Sequence, residues 1–269
     1  MKKELTAWEK IEIARNPNRK TALDFIDNIF DEFMELHGDR CFKDDKSIVC
    51  GLARIGEQSY TIIAEQKGRT TKENIERNFG MPNPESYRKA IRFMRQAEKF
   101  NRPIITFIDT KGAYPGIGAE ERGQGEAIAK SIFEMASLTV PILSIVIGEG
   151  SSGGALAIGV GNRVVMLENA VYSILSPEGY ASILWKDASR AKEAAEVMKL
   201  TAEDLYELKV IDKIIEEDNA NLEQNFSDVS KLLKEEIIAF TNVMSTKSKE
   251  EFVDERYEKF RNIGEYKFE

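Results

Sequence analysis

The sequence predicts an α/β protein with a mostly parallel sheet. Apolar segments at residues 104–109 and 141–148 are each followed by a glycine-rich loop and then by a helical pattern. This order of strand, loop and helix is typical of right-handed crossover units, which place consecutive strands parallel. The composition agrees, because 42% hydrophobic and 31% charged residues indicate a folded globular chain.

Apolar spacing predicts the elements before the first glycine-rich loop. They are helices over 6–14 and 21–36, a hairpin of strands 47–55 and 59–66, a polar loop with a short helix over 67–84, and a helix over 85–100. Pro103 ends the last of these helices, since proline cannot continue one.

The second part of the chain repeats the alternation of strands and helices. Its predicted elements are strand 104–109, helix 120–138, strand 141–148, a short helix over 155–160, strands 163–167 and 171–175, short helices within 177–208, strand 210–215 and a long helix over 226–243. We therefore expect a single domain, with an N-terminal helical extension at 1–45, a core at 46–215 and a C-terminal helical tail at 216–269.

Charge and hydropathy exclude several classes of protein. The formal net charge is −8, whereas a nucleic-acid-binding protein is expected to be strongly basic. No apolar run is long enough to span a membrane, and no signal region follows the N-terminus, so we expect a cytoplasmic protein. Residues 67–102 carry ten Lys/Arg and four Asp/Glu, which fits either a solvated face or a phosphate-bearing or acidic partner.

The inventory of reactive side chains is small. His37 is the only histidine and Cys41 and Cys50 are the only cysteines. A four-ligand zinc site cannot be built from them, and no serine or cysteine in an elbow motif accompanies His37. We expect reduced thiols, a structural histidine and no metal site.

The two glycine-rich loops are the candidate site. The first loop, residues 109–118, reads DTKGAYPGIG, and the second loop, residues 148–159, reads GEGSSGGALAIG. Ser151 or Ser152 is expected to cap the helix that follows the second loop. Both loops could be ordinary turns, but two on consecutive strands predict a crevice lined with backbone N–H donors. Neither fits a dinucleotide or P-loop fingerprint, so oxyanion stabilisation is the chemistry they suit best.

Five segments resemble one family, the alpha subunits of bacterial acetyl-CoA carboxylase carboxyltransferase. They are QKGR at 66–69, NFGMP at 78–82, GAYPGIGAEERGQ at 112–124, GGALAIG at 153–159 and SPEGYASILWKD at 176–187. The resemblance covers about residues 5–215. Lys111 departs from it, because a proline is expected at that position.

The resemblance implies a crotonase-like fold, a spiral of β-β-α units with flanking helices. It also implies assembly of two alpha with two beta subunits, with the active site at their interface. The alpha subunit would receive carboxybiotin from a biotin carboxyl carrier protein, which biotin carboxylase charges, and the beta subunit would bind most of acetyl-CoA. The product would be malonyl-CoA, in the first committed step of fatty acid synthesis. Biotin itself would be the base, so the protein would need oxyanion holes rather than a histidine.

The resemblance also assigns site residues. The N–H groups of Gly154 and Ala155 would hold the ureido oxygen of biotin, and Gly153 would set the turn. The opposite wall of the carboxybiotin pocket would comprise Gly112, Ala113, Tyr114, Gly116 and Gly118.

Two other functions remain open from the sequence. A crotonase-type hydratase or isomerase acting alone would need carboxylate bases, for which Glu120, Glu121 and Glu149 are available. These glutamates are more simply explained by ion pairs with residues such as Arg122. A non-catalytic paralogue that only scaffolds the complex would also fit the altered residue at Lys111.

Overall fold

The computed structural model of the chain describes residues 5–217 and 225–264. The strands are β1 (Glu32–Leu36), β2 (Ile48–Ile55), β3 (Gln58–Glu65), β4 (Ile104–Thr110), β5 (Ile142–Ser151), β6 (Arg163–Leu167), β7 (Val171–Ser173) and β8 (Lys213–Ile215). The helices are α1 (Ala7–Ala14), α2 (Ala22–Ile29), α3 (Thr71–Glu76), α4 (Pro84–Lys99), α5 (Ile117–Glu121), α6 (Gln124–Ser137), α7 (Ser152–Leu156), α8 (Pro177–Trp185), α9 (Ala191–Val197), α10 (Ala202–Glu207), α11 (Phe226–Met244) and α12 (Lys249–Arg261).

In the described part of the chain, the strands form one sheet in the order β1-β2-β3-β4-β5-β6-β8, and β7 pairs with the carboxyl end of β5. The pairs β1–β2 and β2–β3 are antiparallel, and all pairs from β3 onward are parallel. The predicted α/β architecture with a mostly parallel sheet is therefore confirmed.

The centre of the sheet is fully covered. Every residue of β4 and β5 is buried, as expected for parallel strands with both faces packed. Helix α4 starts with Pro84 at its first turn and contacts α6, β2 and β3 through a buried stripe that includes Phe93 and Met94. Helix α2 contacts β3, β4 and α11, and the Phe25 ring stacks on Phe107 of β4. These helices therefore cover the sheet around β3 and β4.

The helix predicted over 21–36 is wrong in its second half. Helix α2 ends at Ile29, and residues 32–36 instead form edge strand β1, paired with β2. Apolar residues in this segment do fit a helical period, but β2 offers an unpaired edge that fixes the backbone as a strand. Gly51 of β2 makes room for Phe33, because a Cβ at Gly51 would lie 2.6 Å from the Phe33 ring.

The helix predicted over 120–138 is also corrected. It consists of α5 and α6, which are separated at Gly123, where φ is +80°. Glycine adopts this left-handed conformation at little cost, so it breaks the helix there. The predicted hairpin is confirmed as β2 and β3. The short helix predicted within 67–84 is confirmed as α3. The division at residues 45 and 215 stays a prediction, and residues 1–4, 218–224 and 265–269 of the predicted terminal parts lie outside the described residues.

The C-terminal helices are attached to the sheet by a buried arginine. Arg256 of α12 is 1% exposed, and its guanidinium donates to the carbonyl oxygens of Met135 at 2.8 Å, Leu138 at 2.9 Å and Val140 at 3.0 Å. Burial lowers the pKa of Arg256 to about 10. Helix α12 thereby holds the end of α6 and the start of β5. Among the described helices, none has the length and apolar content that crossing a membrane requires.

Candidate functional site

The two glycine-rich loops leave the sheet side by side. The first loop begins in the last residues of β4 and the second in the last residues of β5, and these strands are parallel neighbours. Because the carboxyl ends of parallel strands lie at one edge of a sheet, the two loops lie next to each other at that edge. The predicted adjacency of the loops is confirmed.

Three of the predicted residues make a backbone contact between the two loops. A Cβ placed on Gly154 would lie 2.7 Å from the Ala113 nitrogen and 2.8 Å from the Gly112 carbonyl carbon. Gly112 itself has φ of +128°, a conformation that residues with a side chain rarely adopt. The loops can therefore approach this closely only with glycine at both positions.

The second loop ends in a helix start that retains backbone donors. The first N–H groups of α7, which include those of Gly153 and Gly154, have no acceptor within the helix. Ser151 occupies the N-cap position, but its side chain makes no capping hydrogen bond. The expected serine cap is therefore wrong, and these N–H groups keep their capacity to bind an anion or an oxyanion.

The rest of the first loop is held against the segment at 78–82. The Tyr114 N–H donates to the Pro82 carbonyl at 3.0 Å, and the Gln124 amide donates to the carbonyls of both Pro82 and Tyr114. The Tyr114 ring covers Gly116, where a Cβ would lie 2.3 Å from Cε1. Gly118 lies inside α5 rather than in the loop.

A layer of charged residues lies where the two loops begin. The Lys67 Nζ is 2.5 Å from the Asp109 carboxylate, which also accepts the Glu149 N–H at 2.9 Å. The Asp109 N–H donates to the carboxyl of Glu65 at 3.0 Å. Burial raises the pKa of Glu65 well above its usual value, so a neutral carboxyl is favoured there.

The N-terminal helix contributes an arginine to this layer. Arg15 Nε lies 2.9 Å from Glu149, and its Nη1 lies 2.7 Å from Glu178. Burial works against the charge of Arg15, but hydrogen bonds with Glu178 and Glu149 outweigh it and raise the pKa of Arg15. A cavity of about 190 Å³ adjoins the layer, and the exposed Lys111 contributes to its lining.

The three candidate glutamates have different environments. Glu120 and Glu121 are exposed, and Arg122 pairs with Glu85 at 3.0 Å rather than with either of them, so the expected partner Arg122 is wrong. The expected structural ion pair is confirmed for Glu149, whose partner is Arg15. His37 follows edge strand β1 and lies 3.3 Å from Asp44.

The thiols have contrasting environments. Cys41 is exposed and Cys50 is buried, where desolvation raises its pKa to about 12. Within residues 5–217 and 225–264, no three His, Cys, Asp or Glu side chains form a group that could hold a metal ion.

Sequence reasoning missed part of the charged layer. Lys67 lies in the QKGR segment that carried the resemblance, so a signal existed for it. Glu65 ends a strand and Arg15 ends a helix, and neither has a local pattern that marks it.

Comparison with known proteins relates this chain to one family. Residues 1–264 match the family described as acetyl co-enzyme A carboxylase carboxyltransferase-like. A subunit alpha of acetyl-coenzyme A carboxylase carboxyl transferase from Geobacillus sp. (strain WCH70) is 58% identical over 98% of this chain and 81% of its own length. The subunit alpha from Clostridium botulinum (strain Alaska E43 / Type E3) is 59% identical over 96% and 94%.

Some relatives are longer than this chain. The protein named subunits beta/alpha from Clostridium tetani (strain Massachusetts / E88) is 58% identical over 99% of this chain, which spans only 46% of that relative. Among solved structures, transcarboxylase 12S has a TM-score of 0.69 at 19% identity, over 86% of this chain and 42% of that one. The beta subunit of geranyl-CoA carboxylase from P. aeruginosa has a TM-score of 0.65 at 18% identity, over 90% and 46%. These two likenesses confirm the predicted fold, that of carboxyltransferases.

Proposed function

The chain belongs to the acetyl co-enzyme A carboxylase carboxyltransferase family, and on this premise we propose that it is the alpha subunit of a two-subunit carboxyltransferase. With a beta subunit it transfers a carboxyl group from carboxybiotin to acetyl-CoA and forms malonyl-CoA. The family and the names of its relatives support the proposal. The carboxyl group arrives on a biotin carboxyl carrier protein that biotin carboxylase has charged.

The contact between the two glycine-rich loops carries the proposal. The N–H groups of Gly154 and Ala155 donate to the ureido oxygen of biotin, while Gly112 and Ala113 form the facing wall. This donor set fits a planar group that gains negative charge on one oxygen, because it offers N–H groups and no competing carboxylate in the contact. Carboxybiotin, when bound, supplies the carboxyl group and the base.

The energetic effect of these donors is large. Loss of a single oxyanion donor costs about 3–4 kcal/mol of transition-state stabilisation. Gly153 sets the turn that presents the donors, and Tyr114, Gly116 and Gly118 shape the pocket around the ring system. Glu149 and Asp109 of the charged layer are both held in ion pairs, so neither is a free carboxylate.

Several large apolar side chains in and after the two loops are exposed. Ile117, at the end of the first loop, is 81% exposed, and Ile174, just after β7, is 74% exposed. Leu156 of α7 and Ile183 and Leu184 of α8 are exposed as well. Exposed apolar residues of this kind are typical of an interaction surface. We assign this surface to the beta subunit, which completes the site and binds most of acetyl-CoA.

Reconstitution tests the proposal. The chain is mixed with a carboxyltransferase beta subunit, carboxybiotin on its carrier protein and acetyl-CoA, and malonyl-CoA is measured. We expect product only when both subunits are present. Product from the isolated chain with an enoyl-CoA would instead support the hydratase alternative, and an inactive but stable complex would support the scaffold alternative.

A further inference from the structure

The ladder between β4 and β5 is irregular where the two loops begin. The strands pair in register from Ile104 with Ile142 to Ile108 with Val146, but the next pair is Thr110 with Gly150. Two steps along β4 therefore match four along β5. Such irregularities occur beside active sites, where they re-aim the chain that follows.

Asp109 lies at this irregularity and replaces the missing ladder contact with its side chain. Its carboxylate accepts the Glu149 N–H at 2.9 Å, one residue before Gly150. Its own N–H donates to Glu65 at 3.0 Å. The side chain is therefore a direct link between the two strands at the point where their register changes.

The surroundings leave this carboxylate little freedom. A Cβ on Gly148 would lie 2.2 Å from its Oδ1, so only glycine at 148 allows it to occupy this place. Lys67 balances its charge from 2.5 Å, and Asp109 is only 5% exposed. The link is thus buried, paired and sterically fixed.

We propose that Asp109 is a positioning residue that sets how the two glycine-rich loops face each other. The register shift places Thr110 beside Gly150, and the contact between Gly154 and Gly112–Ala113 follows within a few residues. Asp109 holds this shifted register, and thereby the spacing of the N–H donors from the opposite wall. The inference rests on the proposed carboxyl transfer for its kinetic consequences.

Two substitutions of Asp109 test the link. Asp109→Ala removes the acceptor, and misplacement of catalytic groups by about 1 Å costs about 100-fold, so we expect kcat for malonyl-CoA to fall about 100-fold while KM for acetyl-CoA is unchanged. Asp109→Asn keeps an oxygen that accepts the Glu149 N–H, and it recovers most of kcat. The matched control is Asp212→Ala, since Asp212 also accepts a strand N–H, that of Val164, and pairs with a lysine, Lys259.

The steric route gives an independent test that leaves Asp109 in place. Gly148→Ala displaces the carboxylate and is expected to lower kcat as Asp109→Ala does. Gly125→Ala in α6 is its control, because a Cβ there meets nothing within 4 Å. Kinetics of Gly148→Ala equal to those of Gly125→Ala would overturn the proposal, as would an Asp109→Ala loss no greater than that of Asp212→Ala.

Hydrogen exchange separates this inference from the proposed function. In the full chain bound to its beta subunit, amides of residues 146–156 should exchange faster in Asp109→Ala and Gly148→Ala than in the two controls. Faster exchange in a complex whose wild type makes no malonyl-CoA would refute the proposed function and keep the positioning role. Unchanged exchange would refute the positioning role alone.

Discussion

The glycine-rich loops and the C-terminal helices use the backbone in opposite ways. At the loops, the first N–H groups of α7 have no acceptor within their helix. At the C-terminal end, the buried Arg256 donates to backbone carbonyls around the end of α6. Donors without partners cost stability and are available to a ligand, whereas paired carbonyls stabilise the fold. Changes in the loops should therefore alter turnover, and changes at Arg256 should alter stability.

A large loss of turnover is expected from a change in the first loop. Gly112→Ala forces a side chain into a φ of +128° at the contact with Gly154. The loop must shift, and a shift of about 1 Å at a catalytic contact costs about 100-fold. We expect kcat for malonyl-CoA to fall by this order in the reconstituted complex.

The matched control for this prediction is Gly56→Ala in the turn between β2 and β3. Gly56 also has positive φ, at +56°, and a Cβ there meets nothing within 4 Å. It should lower the melting temperature without lowering kcat. If Gly56→Ala lost as much kcat as Gly112→Ala, the loss would reflect general backbone strain rather than the geometry of the first loop.

The next effect is on stability and concerns the C-terminal helices. Arg256→Ala leaves buried carbonyls unpaired, and hydrogen bonds to charged groups contribute about 1.5–3 kcal/mol each. A net loss of about 3 kcal/mol lowers the melting temperature by about 6–12 °C in a chain of this size. Thermal unfolding of the chain measures it, with kcat of the complex expected to stay near the wild-type value below the transition.

Arg256→Lys sharpens the same comparison. Lysine keeps the charge but cannot reach the carbonyls of Met135, Leu138 and Val140 together, because it lacks the planar fork of arginine. We expect an intermediate melting temperature. A variant as stable as the wild type would show that charge, rather than the set of hydrogen bonds, stabilises this region.

The smallest expected effect is a pH dependence of the free energy of unfolding, which arises from Glu65. Burial raises the pKa of Glu65 above 4.5, so its neutral form favours the folded state and this stabilisation is lost as pH rises through the folded pKa. Glu65→Gln stays neutral and still offers an oxygen to the Asp109 N–H. The free energy of unfolding of Glu65→Gln relative to wild type should therefore increase from pH 5 to pH 8, as measured by urea unfolding. If the difference in free energy of unfolding between Glu65→Gln and wild type stayed constant from pH 5 to pH 8, the role of burial would be contradicted.

The fold was largely predictable because its strongest signals are local. Apolar runs gave β4 and β5, and the stripe that includes Phe93 gave α4. The errors arose where tertiary contacts decide. Strand β1 depends on pairing with β2, and no local spacing reveals that partner. The break at Gly123 had a local signal, since glycine commonly ends helices in the left-handed conformation.

The backbone contact of the two loops was predictable from the sequence. The charged residues that hold the loops in place were not. Glycines after buried strands indicated the loops, and the contact of Gly154 with Gly112 and Ala113 agrees with that interpretation. The roles of Asp109 and Arg15 depend on residues far apart in the chain, such as Glu149 and Glu178. Distances of this kind follow from the sheet topology, which a single sequence does not specify.

The most direct test of the account is turnover by a complex that carries Gly154→Ala. A Cβ at 154 would lie 2.7 Å from the Ala113 nitrogen, so the methyl group must separate the loops or turn the N–H donors away. Loss of an oxyanion donor costs about 10²–10³ in kcat, and we expect malonyl-CoA formation to fall by this order. Because the methyl group meets backbone, the melting temperature should fall below that of Gly125→Ala, so kcat is measured below the unfolding transition with the beta subunit bound. Near-normal kcat in Gly154→Ala would contradict the assignment of catalysis to the backbone donors of these loops.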